Sequence, residues 1–391
     1  MRFCKNIAQS CISRFKAYNI DEKMIILTVI SLFLPFFLAA VPVVLSMLFI
    51  FGDKQRRSRL AAVPGSLFIL AFLPVISLAA VLNRNWIGLM VGSLIWIMFM
   101  YGVYMRSVMN SRLFKDIQLV IISLSIVSAL IAITQKLLNR STRSTSTFFN
   151  PNYYGFMIEL FMLVAVFYLF TYKKHKHLVI SAIILNLAGL FLSNCRTAWI
   201  GLIAGVLLLL ILSKKYKFTL LLLALGALVA GCAIFFPEIM PRWNASSVNH
   251  AADQRELMWW ISSKSAMQSP IIGRGLYAYT QIWNSNLVGY KTVHCHNLFL
   301  NSFLDTGIIG TLLWLGYIIM HPISVYIRKR RGLGEQIEGS SRLILPILLT
   351  CLCHCMTDIP VLGVQPLIML FVLLSCAGSG SFKKQEVRSK R

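Results

Sequence analysis

Long apolar runs alternate with short clusters of basic residues along almost the whole chain. Crossing the hydrocarbon core of a membrane takes about 20 apolar residues, and fewer when the helix packs among others. By this measure the sequence predicts spans near 61–82, 86–105, 117–134, 155–172, 178–194, 197–213, 218–236, 298–326, 343–357 and 360–377. We therefore expect an all-α polytopic membrane protein, with one integral membrane domain over residues 1–391.

The first apolar run, residues 24–51, has basic residues on both sides. Lys and Arg concentrate in the loops that face the cytoplasm, so both flanks are expected on that side. The run must then cross twice, as a hairpin broken near Pro35 and Pro42. With this hairpin the sequence predicts roughly twelve transmembrane helices, with both termini inside.

Composition supports a membrane protein and argues against a nucleic-acid partner. The chain has 57% hydrophobic and 13% charged residues and a mean hydropathy of +0.72, values far outside the range of a soluble domain of this size. A formal net charge of +25 would suit a nucleic-acid binder. However, the basic residues lie in clusters between apolar runs, which is the pattern that membrane topology imposes.

One long polar stretch interrupts the pattern at residues 237–295, and the topology places it in a loop on the outer face. Loops longer than about 12–15 residues are usually functional or disordered. Between Arg255 and Met267 the apolar residues recur at helical spacing, which predicts an amphipathic helix on the membrane surface. Three shorter segments share the outer face, namely 135–154, 193–197 and 358–360.

The two segments before the long loop contain the first candidate site residues. Arg196 lies in the turn 193–197; arginine can simply snorkel to the interface, but it is disfavoured on the outer side, so a functional role is favoured. Arg143, Asn150 and Asn152 belong to a segment with two interpretations. It is a turn-forming loop around Asn-Pro-Asn, or a platform for sugar or phosphate at a helix start, and neither excludes the other.

The long loop carries further candidates for binding an anion. Arg255 and Trp259 lie on the predicted surface helix, where the tryptophan could also be only an interfacial anchor. Arg274 stands between Gly273 and Gly275. Glycine permits close approach of the backbone to a bound group, and arginine beside it supplies a planar fork of donors.

His294, His296 and Asn297 end the loop where a strongly apolar run begins. Asn297 is well placed to cap the helix that follows. A plain interfacial position is the alternative interpretation of His296. Together with His354 between two cysteines the pair suggests zinc, but the spacing fits no usual ligand pattern. We expect no metal and no cofactor.

These residue types suit one kind of chemistry. Few carboxylates lie in the outer segments, which argues against a magnesium site for diphosphate, whereas arginines bind diphosphate directly through paired hydrogen bonds. A diphosphate at the outer face would belong to a polyprenyl lipid carrier, and the reaction would be glycosyl transfer. An acceptor hydroxyl attacks the anomeric carbon, a base near neutral pKa takes the proton, and the arginines stabilise the leaving diphosphate.

At this point the motifs resemble those of a known family. The pattern His296-Asn297, nine residues, then Gly307-x-x-Gly310 resembles the signature of the bacterial O-antigen ligase family, and Arg196 with Ile200 is similar to its Arg-x3-Leu motif. The resemblance is clearest over residues 140–312. It implies a type-C glycosyltransferase-like bundle with a large outer-face loop, in the cytoplasmic membrane, with its active site on the periplasmic face.

The resemblance also implies partners and roles. The donor would be an undecaprenyl-diphosphate-linked glycan, the acceptor lipid A-core or another glycan, and the transfer inverting and metal-independent. His296 would be the base or orient the acceptor, while Arg196 and Arg255 bind the diphosphate. Arg255 is preferred to Arg274 because its helix fixes its direction, and His294 leaves open which ring acts. Substrate contacts are expected from Arg274, His294, Asn297, Asn150, Asn152, Arg143 and Trp259.

Two alternatives remain. A polymerase of the same superfamily would join lipid-linked repeat units, but the Arg-x15-Gly pattern of some polymerases is not found from Arg196, Arg242 or Arg255. A transporter or flippase for an anionic glycolipid would be expected to show internal repeats and polar residues at mid-depth. Neither feature is found in the sequence, so the ligase interpretation is favoured.

Overall fold

The computed structural model describes residues 13–139, 143–235, 245–283 and 292–379, and all regular structure in these ranges is helical. The helices are α1 (Ile20–Ser31), α2 (Phe36–Gly52), α3 (Lys54–Ala61), α4 (Ser66–Leu82), α5 (Trp86–Val108), α6 (Ser111–Asn139), α7 (Pro151–Tyr172), α8 (Lys176–Ser193), α9 (Arg196–Leu212), α10 (Tyr216–Phe235), α11 (Ala245–Ala266), α12 (Tyr279–Ile282), α13 (Leu298–Arg330), α14 (Ser340–Cys355) and α15 (Val364–Leu374). Short 3₁₀ turns, Pro360–Leu362 and Ser375–Ala377, flank α15.

The ten predicted spans after the first apolar run each overlap a helix, and that run forms two helices, α1 and α2. The first break is where it was predicted, since Pro35 is the N-cap of α2. The second is wrong, because Pro42 lies inside α2. Helices of membrane proteins tolerate an interior proline when neighbours satisfy the freed carbonyl.

Fewer helices than predicted are long and apolar enough to cross a membrane by themselves. In the described ranges five helices pass it, and up to six if the pair α2 and α3, bent by 101°, is one broken span. Five further apolar helices are shorter, with 10–17 residues. The chain is therefore a multi-pass membrane protein, and the prediction of roughly twelve spans is not confirmed.

Helix α7 lies at the centre of the bundle. It is apolar on all sides, as expected of a helix surrounded by others, and 78% of its span is buried. It packs against α6, α8, α9, α14 and α15. Its first residue is Pro151, which suits the first turn of a helix because the missing N–H has no partner there. The start of this central helix forms one wall of the site described below.

Helix α13 is broken at Gly307, and the break holds the long loop in place. Gly307 has φ 60° and ψ −169°, a combination that essentially only glycine adopts. Residues 270–275 pack against the break, with the Arg274 amide donating to the Leu304 carbonyl at 3.0 Å. A Cβ on Gly307 would lie 2.4 Å from the carbonyl carbon of Ile271. The segment before the histidines is thus fixed to the helix that follows them.

The surface helix predicted from Arg255 is confirmed as a helix, although α11 begins ten residues earlier, at Ala245. Met258 is fully buried on its inner side. Trp260 is half-exposed, with the Lys264 ammonium 3.9 Å from its ring centre. The helix packs against α13, so it brings Arg255 and Trp259 to the same end of the bundle as the histidines.

Candidate active site

The carboxylate of Asp358, in the turn after α14, is the centre of a polar cluster. It is buried, with 4% of the residue exposed. One oxygen lies 3.0 Å from His296 Nδ1 and also accepts from the Ile359 amide at 2.8 Å. The other accepts from Asn152 Nδ2 at 2.5 Å. A buried carboxylate needs such partners, and here they come from three separate parts of the chain.

The loop that carries the two histidines is held on both sides. The Trp259 indole donates to the Cys295 carbonyl at 3.0 Å, and the Cys295 amide donates to the Asn301 side chain at 3.1 Å. Asn297 accepts from the Leu300 amide at 3.1 Å, which confirms the predicted N-cap. His296 itself has a φ of 60°, a strained value for a residue with a side chain, and such strain persists where the surroundings impose it.

The charge state of this loop follows from burial. Burial lowers the pKa of the His294 imidazole to about 4, and the neighbouring His296 adds to this effect, while Asp358 opposes it. His294 is therefore neutral at pH 7. Its Nδ1 accepts the His296 amide at 3.2 Å, so its hydrogen is on Nε2, which lies 3.6 Å from Asp358. The ring acts as a support for His296. Burial also raises the pKa of the Cys295 thiol to about 12, which makes it a poor nucleophile.

Asp358 is ionised. Burial alone would raise the pKa of this carboxyl, but the hydrogen bond from His296 and the nearby imidazoles outweigh it and hold the pKa well below its usual range. A carboxylate accepts a hydrogen bond, so we infer that the His296 proton is on Nδ1. Nε2 of His296 then carries the lone pair and can act as a base. His296 is only partly buried, with 13% of its side chain exposed.

The segment 143–152 forms the helix start predicted for it, while a platform for sugar or phosphate stays a prediction. Asn150 is the N-cap of α7, since its side chain accepts from the amides of Asn152 and Tyr153, each at 2.9 Å. The side chain of Asn152 instead connects Asp358 to Arg143, whose guanidinium donates to it at 2.5 Å and to the Ser193 carbonyl at 3.0 Å. Asn150 thus shapes the helix start, and Asn152 and Arg143 hold the carboxylate.

Arg255 contacts the turn that carries Asp358, and Arg196 lies next to a residue that does. Arg255 Nε donates to the Thr357 carbonyl at 3.0 Å. Arg196 is the first residue of α9, and the next residue, Thr197, forms a hydroxyl–hydroxyl hydrogen bond of 2.8 Å with Thr357. Residues separated by more than a hundred positions are thereby brought beside the histidine loop. This is what is expected if the turn 193–197, the long loop and the turn 358–360 lie on the same face of the membrane.

Arg274 makes different contacts. Its Nη1 donates to Ser265 Oγ at 2.6 Å and to Gln268 Oε1 at 2.9 Å, both near the end of α11. Its backbone pairs with α13 at the Gly307 break. The guanidinium therefore belongs to the packing of the long loop, which agrees with the preference for Arg255, and a substrate contact by Arg274 stays a prediction.

The cluster also resembles a metal-ligand set. One ligand atom each from His294, His296 and Asp358 lies within 4.8 Å of the others, and zinc accepts two imidazoles and a carboxylate. The sequence interpretation had considered His354 as the partner, but His354 lies one turn deeper in α14, 2.5 Å from Glu159. In the described structure His296 Nδ1 and Asp358 Oδ1 lie 3.0 Å apart.

Asp358 is the site residue that sequence reasoning missed as a candidate. It lies in the predicted outer turn 358–360 and is one of few acidic residues near the outer segments, which is the signal that could have singled it out. Asp305 and Asn301 were also missed. Asp305 is buried and accepts from Asn301 Nδ2 at 2.7 Å and from the Ala278 amide at 3.1 Å, so it ties the long loop to the first turns of α13.

Comparison of the sequence with known proteins and protein families gives one family match. No curated protein matches the chain significantly. Residues 181–315 match the family model described as O-antigen ligase. The matched range contains Arg196, Arg255, His296 and both glycines of the signature, and it excludes Asp358. This match, over about a third of the chain, and the motifs within it support membership of the O-antigen ligase superfamily.

Proposed function

We propose that the chain is a glycosyltransferase that moves a glycan from undecaprenyl diphosphate to a hydroxyl of an acceptor, with lipid A-core as the expected acceptor. The observation that carries this proposal is the pair of His296 and Asp358, 3.0 Å apart, beside the turn that Arg255 contacts. Membership of the O-antigen ligase superfamily supports a ligase-type or polymerase-type transfer.

His296 would act as the general base. Its Nε2 takes the proton of the acceptor hydroxyl while the oxygen attacks the anomeric carbon, and the bond from that carbon to the diphosphate breaks. A single displacement of this kind inverts the anomeric centre. Asp358 holds the ring and stabilises the imidazolium that forms. A positioned base typically contributes about 10²–10⁴-fold to the rate.

Arg196 and Arg255 would bind the diphosphate. The electron pair of the broken bond stays on a phosphate oxygen, so negative charge grows there during the reaction, and arginines placed before the reaction stabilise it. Guanidinium pairs with phosphate oxygens through two parallel hydrogen bonds. This role requires no metal ion and suits a site where the carboxylates, Asp358 and Asp305, are already occupied by protein donors.

An apolar cavity adjoins the start of α13 and offers room for part of the isoprenoid chain. Its volume is about 310 Å³, and its walls come from α4, α5, α13, α14 and α15. Leu298 and Asn301, which follow the histidine loop directly, belong to these walls, as does Phe371 of α15. A lipid tail in this cavity would bring its diphosphate to the polar cluster.

The site would lie on the periplasmic face of the cytoplasmic membrane. Basic clusters at 173–176, 214–217 and 328–331 all lie at the opposite ends of the helices that carry the site. Loops rich in Lys and Arg stay in the cytoplasm. The polar cluster is then on the outer side, where lipid-linked glycans are presented.

The test is transfer by the purified protein in vesicles that contain lipid-linked glycan and lipid A-core. We expect a glycan–acceptor conjugate and free undecaprenyl diphosphate in equal amounts, with no change on adding a chelator. Arg196→Ala should abolish most of the transfer, whereas Arg84→Ala, at an exposed position of the same end, should not. Loss of activity with chelator that zinc restores would overturn the metal-free mechanism.

The same assay separates the polymerase. A polymerase would lengthen the glycan on the lipid carrier and leave the lipid A-core unmodified. The superfamily match alone fits both reactions. Longer lipid-linked products without conjugate would therefore replace the ligase proposal with the polymerase. In that case the role of His296 as the base would be tested by the rate at which the His296→Ala variant lengthens the glycan.

A further inference from the structure

A polar cavity lies at the end of the bundle opposite to the active site. Its volume is about 750 Å³. We call it the basic cavity, and its lining residues are Arg14, Arg112, Lys115, Asp116, Leu119, Tyr168, Lys174 and His175. Helix α7 runs from the active site to this end over 22 residues, a distance of about 33 Å. The basic cavity is thus separate from the glycan-transfer chemistry.

The cavity has a large excess of positive charge. Four of its lining side chains are Lys or Arg, and one is a carboxylate, Asp116. That carboxylate is already engaged, because it accepts from the Tyr18 hydroxyl at 2.6 Å and lies 3.6 Å from the Arg14 guanidinium. In the described part of the chain Arg112, Lys115 and Lys174 form no salt bridge. Three of the cations at the cavity therefore have no salt-bridge partner among the described residues.

Aromatic rings hold two of these cations in position. The Arg112 guanidinium lies 4.8 Å from the centre of the Tyr18 ring, and the Lys115 ammonium lies 4.6 Å from that of Tyr172. Cation–π contacts of this kind restrict the side chains but leave their N–H donors available. The donors are consequently prepared for a ligand with several acceptor oxygens, such as a phosphate group.

The order of residues along α6 indicates a lipid and not a soluble anion. Arg112, Lys115 and Leu119 follow each other at helical spacing on one face of α6, whose first residue is Ser111. The basic residues stand at the helix end, and the leucine lies deeper in the bundle. A phospholipid has the same order, with a charged headgroup at the membrane surface and apolar chains beneath it.

We propose that the basic cavity binds the phosphate headgroup of an anionic phospholipid from the leaflet at that end. Basic pockets between transmembrane helices on the cytoplasmic side bind such headgroups. Basic side chains also mark the cytoplasmic side for topological reasons, but topology requires only charge, and it explains neither a cavity of this size nor the aromatic support of two cations. The proposal does not rest on the glycosyltransferase activity.

The experiment measures retained lipid on the full-length protein by native mass spectrometry. Detergent-solubilised protein is titrated with phosphatidylglycerol, with phosphatidylcholine, and with inorganic phosphate. The test variant is Arg112→Gln/Lys115→Gln/Lys174→Gln. The matched control is Lys329→Gln/Arg330→Gln/Arg331→Gln, which removes three cations at the same end of the bundle, from the last turn and the C-cap of α13. Each basic side chain near an anionic lipid strengthens binding about fivefold, so the test variant should bind phosphatidylglycerol about 100-fold more weakly.

Three outcomes would overturn the proposal. The first is an equal loss in the test and control variants, which would mean a diffuse basic surface. The second is equal binding of phosphatidylcholine and phosphatidylglycerol by the wild type. The third is binding of inorganic phosphate as tight as that of the lipid. Because a triple variant can fail to fold, Lys174→Glu, at an exposed turn position, is compared with Lys329→Glu. Only Lys174→Glu should weaken phosphatidylglycerol binding, and equal effects would again contradict the site.

Discussion

Replacement of Asp358 by Asn is the substitution that tests most sharply how the site works. The two side chains have the same shape, but Asn carries no charge and presents one donor and one acceptor. In the wild type, one carboxylate oxygen pairs with His296 Nδ1 at 3.0 Å and the other accepts from Asn152 at 2.5 Å. The amide can accept at only one of these positions, so either His296 or Asn152 loses its acceptor.

The size of the effect follows from the lost hydrogen bond. A hydrogen bond to a charged group contributes about 1.5–3 kcal/mol, and each 1.36 kcal/mol is a factor of ten in rate. In the proposed mechanism, the imidazolium that forms on His296 in the transition state also loses its counter-charge. We therefore expect Asp358→Asn to lower kcat about 10- to 150-fold, while KM for the lipid-linked donor changes little.

The assay is the initial rate of conjugate formation in vesicles, at several donor concentrations. Asp253→Asn is the control, since Asp253 is an exposed acidic residue of α11 on the same segment as Arg255. Size-exclusion chromatography and the melting temperature show whether each variant is folded. A folded Asp358→Asn protein with kcat within twofold of the wild type would refute the pairing of Asp358 with His296 as a catalytic feature.

Three further predictions concern the loop and its charges. Gly307→Ala should lower the melting temperature strongly, because the backbone angles are accessible only to glycine and the new Cβ would lie 2.4 Å from Ile271. Gly52→Ala, with open space around it, should have little effect. Equal melting temperatures of the two variants would contradict the proposed break. Arg255→Lys should lower kcat/KM about tenfold, since lysine cannot form paired hydrogen bonds to phosphate; a rate equal to that of the wild type would remove Arg255 from the diphosphate site. The third prediction is a pH dependence. His294 has a pKa of about 4 when folded and 6.5 when exposed, so the unfolded state binds more protons between these values. About 3 kcal/mol of stability, fully present above pH 6.5, should therefore be lost as the pH falls towards 4. In chemical unfolding the stability of His294→Gln should depend less on pH, and an unchanged pH dependence would contradict the burial of a neutral imidazole.

The helices could be predicted well because a membrane span is a local property of the sequence. The apolar run predicted at 298–326 corresponds to α13, Leu298–Arg330, and its cap was predicted at Asn297. A run of apolar residues and a capping side chain act within one segment, so neighbours in space need not be known. The break expected near Pro42 was wrong for the opposite reason, since its tolerance inside α2 depends on the surrounding packing.

The site could be predicted only in part. His296 and Arg255 were recognisable as polar residues that an apolar bundle does not require, and their contacts meet at residues 357 and 358. The role of Asp358 could not be derived, because it depends on a contact across 62 positions. The different roles of Asn150 and Asn152 could not be predicted either, since the direction in which each side chain points cannot be inferred from the sequence alone.

The most direct test of the central claim is the transfer rate of His296→Ala beside that of His250→Ala. Both variants remove one imidazole, but His250 lies exposed on α11, whereas His296 contacts Asp358. We predict that His296→Ala lowers the rate of conjugate formation at least about 100-fold, the usual contribution of a general base, and that His250→Ala remains close to the wild type. A folded His296→Ala protein that transfers glycan at the wild-type rate would contradict the assignment of this site.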